Sequence, residues 1–225
     1  MLGGDLHGPI EVRSYYSPWN VDDEFLFIWE KVRTRTMVDF MRLYELWTLT
    51  EQVSKLDSGV VIEVGVRKGG SGCLMAHRAE SLGIPGPFYL CDNFEGLVKL
   101  GEKDTFHREG KFAVVPAHVF DLIEEMSLED YVKVLAGTFP DETAHIIYEP
   151  NVRLCHIDVD IYQSAKDVAE WVWPRLVLGG VVVYDDYGFK ECSGVTELVN
   201  EQMDKPDRIV LYNLNGHAIV IKIGT

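Results

Sequence analysis

Four aspartates lie in two short acidic segments, each of which directly follows a strongly apolar run of the sequence. One segment contains Asp158 and Asp160, and the other contains the adjacent pair Asp185 and Asp186. If the two apolar runs are neighbouring parallel strands, about 4.8 Å apart, Asp158 and the Asp185–Asp186 pair share one site. Like charges repel, and a hard divalent cation such as Mg²⁺ would remove that repulsion. Solvated surface acids are the alternative interpretation. The same repulsion predicts that Asp185→Asn stabilises the metal-free fold.

A glycine-rich turn follows the first apolar run. Gly65 permits a turn and a close approach to the backbone, while Gly69 and Gly70 open a helix whose free amides favour an electron-rich group. The G-x-x-x-G-G spacing differs from both the dinucleotide fingerprint and the P-loop. Asp92 stands 22 residues past Gly70, where an acid accepts both hydroxyls of a ribose. The combination indicates a nucleoside-bearing cofactor, although the turn alone fits an ordinary strand-to-helix connection.

Three other strand-associated features point to the same region. Glu63 lies inside an apolar run, where a carboxylate needs either a cofactor ammonium or a salt bridge to Arg or Lys. Gly137 follows the third predicted strand and lets a flat ring lie against the backbone, with Phe139 packed nearby; an ordinary turn fits equally well. His156 is expected to be a hydrogen-bonded core histidine rather than a metal ligand.

The elements that must position these residues alternate between strand and helix from residue 57 onward. Predicted strands cover residues 60–64, 88–91, 131–135, 152–157 and 181–184, and predicted helices cover residues 70–82, 163–173 and 193–203, with a weakly patterned loop and helix over 111–126. Ser193 is the predicted N-cap of the last helix. Asn215-Gly216 joins two alternating apolar runs as a hairpin. The chain is therefore predicted to form an α/β fold, an open parallel sheet with ligands at the carboxyl ends of its strands.

Residues 1–56 precede this alternation and have a different character. Residues 1–20 are predicted to form an irregular arm, and residues 22–56 two helices. The first helix carries apolar residues at helical spacing: Phe25, Ile28, Trp29 and Val32. We expect residues 1–56 to act as a lid or to line an acceptor pocket, and residues 57–225 to form the ligand-binding domain. Packing of these aromatics in the core or at a dimer contact is the alternative.

Composition excludes several classes of protein. Of 225 residues, 36 are acidic and 21 basic, a net charge of −15 that opposes nucleic-acid or anionic-lipid binding. No apolar run approaches the roughly 18 residues of a membrane span, and no secretory signal is recognisable at the N-terminus. Cys73, Cys91, Cys155 and Cys192 form no C-x-x-C pair, which favours reduced thiols in a cytoplasmic protein over a zinc site.

Taken together, these segments resemble the macrocin O-methyltransferase (TylF-type) family of class I S-adenosylmethionine-dependent methyltransferases. The resemblance runs from about residue 60 to the C-terminus. Its most specific parts are His-Ile-Asp-Val-Asp-Ile-Tyr at 156–162 and Asp-Asp-Tyr at 185–187, supported by residues 61–65, 69–71, 92–96 and 174–180. It implies a Rossmann-like, seven-stranded and mostly parallel sheet with an antiparallel last strand, extended at the N-terminus by helices.

The resemblance also implies roles for individual residues. The methionine end of S-adenosylmethionine would be lined by Glu63, Gly65, Gly69, Gly70 and Ser71. Asp92 would hold its ribose. Mg²⁺ would be held by Asp158, Asp185 and Asp186, with Asp160 as the base. Ile161 stands where related catechol-type enzymes carry a lysine, which makes catechol chemistry a poor expectation.

The predicted function is a Mg²⁺-dependent O-methyltransferase that acts on a hydroxyl of a sugar or similar small metabolite. A metal-independent class I methyltransferase and a non-catalytic nucleoside-binding module are the alternatives. The expected partner is a small hydroxylated acceptor, with neither nucleic acid nor membrane involved. The sequence leaves the oligomeric state open, a homo-oligomer included.

Overall fold

One seven-stranded sheet runs through the protein, whose computed structural model describes Gly8, Ile10 and residues 14–224. The strands are β1 (Val60–Val64), β2 (Phe88–Asp92), β3 (Val132–Ala136), β4 (Val152–Ile157), β5 (Leu176–Tyr184), β6 (Arg208–Tyr212) and β7 (Ala218–Lys222). Their spatial order is β3-β2-β1-β4-β5-β7-β6, and β7 is antiparallel to both of its neighbours. The predicted α/β class, with a mostly parallel sheet and an antiparallel last strand, is confirmed.

Helices cover both faces of this sheet. Within the described residues they are α1 (Asp23–Val32), α2 (Phe40–Ser54), α3 (Gly70–Ser81), α4 (Ala117–Glu125), α5 (Tyr162–Val172) and α6 (Ser193–Asn200). The sheet face that carries Val61, Leu154 and Val183 packs against α1–α4. The opposite face, which carries Ile62 and Val182, packs against α5 and α6. Strand side chains alternate between these two cores, as the two-residue period of a strand requires.

The two helices predicted before the first strand are present, and their apolar side chains belong to the main core. Phe25 and Trp47 are fully buried. Asp22 joins the helices, because its Oδ1 caps α1 at the Phe25 N–H, 3.0 Å away, and its Oδ2 accepts the Trp47 indole N–H at 3.2 Å. More than half of the predicted arm lies outside the described residues, and Pro18–Val21 forms a short 3-10 turn.

Two local predictions need correction. β5 begins at Leu176 rather than at residue 181, because its pairing with β4 shifts register after Val152 and the strand continues past the irregularity. Ser193 is not the N-cap of α6. Cys192 occupies that position, and the Ser193 hydroxyl instead donates to the Lys103 carbonyl at 3.2 Å.

The carboxyl ends of the central strands meet closely, and this meeting creates the site. Beyond the strands, the Asp158 N–H donates to the Val64 carbonyl at 2.9 Å, and the Asp185 N–H donates to the Ile157 carbonyl at 2.9 Å. Gly65 has a φ of +94°, and a Cβ there would lie 1.6 Å from the Asp158 carbonyl oxygen. Only glycine allows this crossing, so Gly65 brings the ends of β1 and β4 together.

The four cysteines are buried and form no disulfide, in keeping with the reduced thiols expected from their spacing. None of the helices in the described ranges has both the length and the apolar character that a membrane crossing requires.

Candidate active site

A cavity of about 370 Å³ opens at the carboxyl ends of β1, β2, β4 and β5, close to the point where the strand order reverses. Nine of the residues singled out in the sequence line it: Gly65, Ser71, Asp92, Gly137, Phe139, Asp158, Asp160, Asp185 and Asp186. Glu63, Gly69 and Gly70 lie behind its wall. The topology therefore gathers at one cavity residues that lie up to 121 positions apart in the sequence, from Gly65 to Asp186.

Hydrogen bonds to two other segments of the chain hold the glycine-rich turn in place. Oδ2 of Asp92 accepts the backbone N–H groups of Val66 at 2.8 Å and Arg67 at 2.7 Å, and Oδ1 accepts that of Phe94 at 2.7 Å. The Gly70 N–H donates to the Arg35 carbonyl at 3.1 Å, and a Cβ on Gly70 would meet that carbonyl. Asp92 therefore braces the turn as well as facing the cavity, and the Gly70 amide is already satisfied.

Glu63 and His156 form a buried pair near the glycine-rich turn. Both side chains are fully buried, and Nδ1 of His156 lies 2.9 Å from Oε1 of Glu63. The expectation of a hydrogen-bonded core histidine is confirmed. Oε2 of Glu63 has no hydrogen-bond partner among the described residues. Within the described chain the partner of Glu63 is thus a histidine rather than an Arg or Lys, and its second carboxylate oxygen has no partner there. Contact with a cofactor ammonium stays a prediction.

Three of the four predicted acids converge on one point. An oxygen from each of Asp158, Asp160 and Asp186 lies within 4.8 Å of the others. Asp160 and Asp186 have left-handed backbone, with φ of +60° and +65°. Aspartate tolerates this conformation better than most residues, and such strained backbone concentrates at functional sites. The turns after β4 and β5 therefore point their carboxylates at each other.

Repulsion and burial perturb this trio strongly. Burial, followed by the charges of Asp185 and Asp186, holds the pKa of Asp158 well above its ordinary value. Burial and the charges of Asp185 and Asp160 do the same to the pKa of Asp186. Burial raises the pKa of Asp160 to about 6, against an opposing effect of Lys111. The charged forms of these acids are therefore destabilised unless a proton or a cation neutralises them.

Asp185 has the opposite environment, although it is the immediate neighbour of Asp186. Its Oδ1 accepts a hydrogen bond from Nη1 of Arg42 at 2.5 Å and lies 2.9 Å from Nε2 of His217. Burial opposes the charge, but His217 and Arg42 outweigh it and hold the pKa of Asp185 well below its ordinary value. This reverses the expectation that Asp185→Asn stabilises the fold.

The donor set fits a hard divalent cation. All the groups that converge are carboxylates, and Oδ2 of Asp186 is buried without a hydrogen-bond partner in the described chain. Oxygen-only ligands of this kind suit Mg²⁺. Gly137 and Phe139 also line the cavity, and the buried ring of Phe139 packs edge-on against Trp171 with 4.9 Å between the ring centroids.

The opposite wall contains residues that the sequence analysis did not single out. Arg67 and Lys111 flank the ring of Phe112 at 5.8 and 4.5 Å from its centroid. Nδ1 of His107 lies 3.2 Å from Nζ of Lys111, and burial together with Lys111 lowers the pKa of His107. Nε2 of His107 lies 3.6 Å from Sγ of Cys192. His107, Lys111 and Phe112 lie in a connection that has no periodic pattern, so only the fold brings these three side chains to the cavity.

Comparisons with known proteins bear on the family and the fold of the chain. The sequence model of the family described as Macrocin-O-methyltransferase (TylF) matches residues 29–209. A tetracenomycin-C rhamnosyl 4'-O-methyltransferase from Streptomyces olivaceus is 32% identical over 179 residues, 73% of this chain and 66% of that protein. Mycinamicin III 3''-O-methyltransferase from Micromonospora griseorubida is 28% identical over 189 residues, 76% of this chain and 70% of that protein. The solved structure of the O-methyltransferase NovP has a TM-score of 0.72 at 23% identity, covering 85% of this chain and 83% of NovP. The chain thus spans about two thirds of the length of the curated relatives.

Proposed function

The chain belongs to the macrocin-O-methyltransferase family, and we propose that it transfers a methyl group from S-adenosylmethionine to a hydroxyl of a sugar or similar small metabolite, with Mg²⁺ bound at the site. The observation that carries this proposal is the convergence of Asp158, Asp160 and Asp186 within 4.8 Å in the cavity beside the glycine-rich turn. One relative is named as a 4'-O-methyltransferase of a rhamnosyl tetracenomycin, and another as a mycinamicin III 3''-O-methyltransferase.

S-adenosylmethionine is assigned to the part of the cavity bounded by the ends of β1, β2 and β3. Asp92 is proposed to face the ribose while it braces the turn, and Ser71 to face the methionine end. Gly137 and Phe139 line the cavity and are proposed to face the adenine ring. Glu63 is fully buried and is not among the residues that line the cavity, so its proposed role in cofactor binding is indirect.

Mg²⁺ would be held by Asp158 and Asp186, with Asp185 presenting its second oxygen from the adjacent position. When bound, the cation lowers the pKa of a hydroxyl that it contacts. Asp160 is proposed to accept the hydroxyl proton, because its carboxylate lines the cavity next to the two ligands.

The loop between α1 and α2 contributes to the acceptor side in this proposal. Thr36, Met37 and Arg42 line the cavity, and this connection packs on the glycine turn through the Arg35 carbonyl. Residues 1–56 are therefore proposed to be part of the acceptor pocket. Their helices share the main core, which argues against a lid that swings as a separate unit.

A methyl-transfer assay with labelled S-adenosylmethionine and rhamnosides as acceptors tests the proposal. Product should form with Mg²⁺, disappear with EDTA and return when Mg²⁺ is added in excess. Asp158→Asn should abolish turnover but keep S-adenosylhomocysteine binding by calorimetry, while the exposed control Asp204→Asn should leave both unchanged.

Full turnover in EDTA would favour the metal-independent methyltransferase, in which protons shared among the acids take the place of the cation. That alternative draws support from the raised pKa values of Asp158 and Asp186. Cofactor binding without product from any hydroxylated acceptor would favour a non-catalytic binding module and would refute the proposed activity.

A further inference from the structure

A buried chain of charged groups connects the N-terminal helix α2 to Asp185. Arg42 donates from Nε to Oδ2 of Asp39 at 2.8 Å and from Nη1 to Oδ1 of Asp185 at 2.5 Å. On the other side of Asp185, His217 approaches Oδ1 through Nε2 and contacts Oε2 of Glu45 through Nδ1 at 2.5 Å. Arg42 and Asp185 are almost fully buried, and His217 is fully buried.

Strand register and helix spacing account for this arrangement. Tyr184 pairs with Ala218 across the antiparallel β5–β7 ladder, so the next pair outward brings Asp185 beside His217. Both side chains point to the sheet face that α2 covers. Arg42 and Glu45 are three residues apart on α2, which puts them on one side of that helix. One helix therefore supplies a cation to Asp185 directly and an anion to its histidine neighbour.

The two carboxylate oxygens of Asp185 differ in their contacts. Arg42 and His217 both address Oδ1, and no hydrogen bond within the described chain reaches Oδ2. Asp185 lines the cavity, and its charge is among the largest influences on Asp158 and Asp186. A carboxylate that is fixed through one oxygen presents the other oxygen in a single orientation. Groups behind metal ligands commonly orient those ligands in this way.

We propose that Arg42, Glu45 and His217 are positioning residues of the metal site, which fix Asp185 through Oδ1 so that Oδ2 faces the cation, and that α2 is consequently part of the metal-binding machinery. The inference rests on the proposed function, because it assumes the Mg²⁺ site. It goes beyond that proposal by making metal affinity depend on a helix outside the sheet.

Metal affinity measured without turnover tests the inference. Mn²⁺ binding by electron paramagnetic resonance and Mg²⁺ binding by calorimetry are compared among the parent protein, Arg42→Gln, Glu45→Gln and a control. Arg78→Gln is the matched control, because Arg78 also joins helices, through Glu24 at 2.8 Å and Glu51 at 2.6 Å, but lies away from the cavity. Melting curves establish that each variant is folded at the temperature of the titration.

Arg42→Gln is expected to weaken Mn²⁺ and Mg²⁺ binding by about 10- to 100-fold, the usual effect of losing a group behind a metal ligand. Glu45→Gln should weaken it less, because it acts on Asp185 only through His217. S-adenosylhomocysteine affinity should be unchanged in both variants. Arg78→Gln should lower the melting temperature without changing metal affinity.

Two results would overturn the inference. If the parent binds Mn²⁺ and all three variants bind it equally well, the metal site exists but α2 does not position it. If the parent itself binds no divalent cation, the proposed metal site fails and this inference fails with it. Should Arg42→Gln not fold, Glu45→Gln decides the outcome by the same comparison.

Discussion

Replacing Asp186 by asparagine is expected to stabilise the metal-free protein, whereas the same replacement at the adjacent Asp185 is expected to destabilise it. Oxygens of Asp158, Asp160 and Asp186 lie within 4.8 Å of one another. Asp185, one residue away, is bound by Arg42 and contacted by His217. The substitution is isosteric at both positions, so the difference between the variants reports charge rather than volume.

The magnitudes follow from these contacts. Two like charges 4.8 Å apart repel by about 3 kcal/mol at an effective dielectric constant of about 20. Because one acid can take up a proton, we expect Asp186→Asn to recover only about 1–2 kcal/mol. Breaking a buried ion pair costs about 3–5 kcal/mol, which is the expected loss for Asp185→Asn. At about 2–4 °C per kcal/mol for a chain of this size, Asp186→Asn should raise the melting temperature by about 2–8 °C and Asp185→Asn should lower it by about 6 °C or more.

The pH dependence has a defined sign. The pKa values of Asp158 and Asp186 are raised on folding, so these acids favour the folded state below their unfolded pKa and this contribution is lost as the pH rises through their folded values. The advantage of Asp186→Asn should therefore grow between pH 5 and pH 8. The pKa of Asp185 is depressed on folding, so its contribution is present above its unfolded pKa and is lost at lower pH.

Differential scanning calorimetry in EDTA and in Mg²⁺, at several pH values, provides the assay. Saturating Mg²⁺ should raise the melting temperature of the parent and erase the advantage of Asp186→Asn. A melting temperature that falls equally in the two variants would refute the reasoning, because it would mean that the acids of the trio do not repel each other in the folded state.

Three further outcomes are expected. Asp160→Asn should keep Mg²⁺ binding and lower the turnover number by about 10²–10⁴-fold, the usual effect of losing a general base, as steady-state kinetics will measure. Asp92→Ala should lower both the S-adenosylhomocysteine affinity in calorimetry and the melting temperature, because it removes the acceptor of the Val66 and Arg67 N–H groups; an unchanged melting temperature would contradict its bracing role. Gly65→Ala should prevent accumulation of folded protein in a solubility and circular-dichroism assay, since its Cβ would lie 1.6 Å from a carbonyl oxygen.

Much of the fold could be read from local patterns. The mostly apolar runs at 60–64 and 152–157 coincide with β1 and β4, because a strand buried on both faces consists mainly of apolar residues. Asn-Gly at 215–216 marked the β6–β7 hairpin, since that dipeptide suits the turn. The start of β5 was missed because the strand is irregular there: Gly179 has a φ of +78°, and the pairing with β4 passes from Leu176 to Val181 across a register shift.

The part of the candidate site that lies at the ends of neighbouring strands was predictable from the sequence. Parallel strands end at one edge, so acids that follow β4 and β5 had to approach each other, and the glycine turn after β1 had to lie beside them. Residue type and spacing therefore predicted that Asp158 and the Asp185–Asp186 pair share one site, and the family resemblance placed Asp160 beside them. The residues of the opposite wall, such as Lys111 and Phe112, lie in a connection without periodicity, and nothing local indicated that they reach the cavity.

The sequence by itself determined which residues reach the cavity edge: the acids after two buried strands, the glycine turn and Asp92. Tertiary structure alone decided the charge environment of each acid. Asp185 and Asp186 are identical neighbours in the sequence, but the β5–β7 register turns Asp185 toward His217, and the packing of α2 brings it Arg42, 143 residues away. Among the residues that the structure describes, Asp186 has no such partner, and it joins the repelling trio. Charge environment depends on distances of a few ångströms between elements remote in the chain, and no local pattern records those distances.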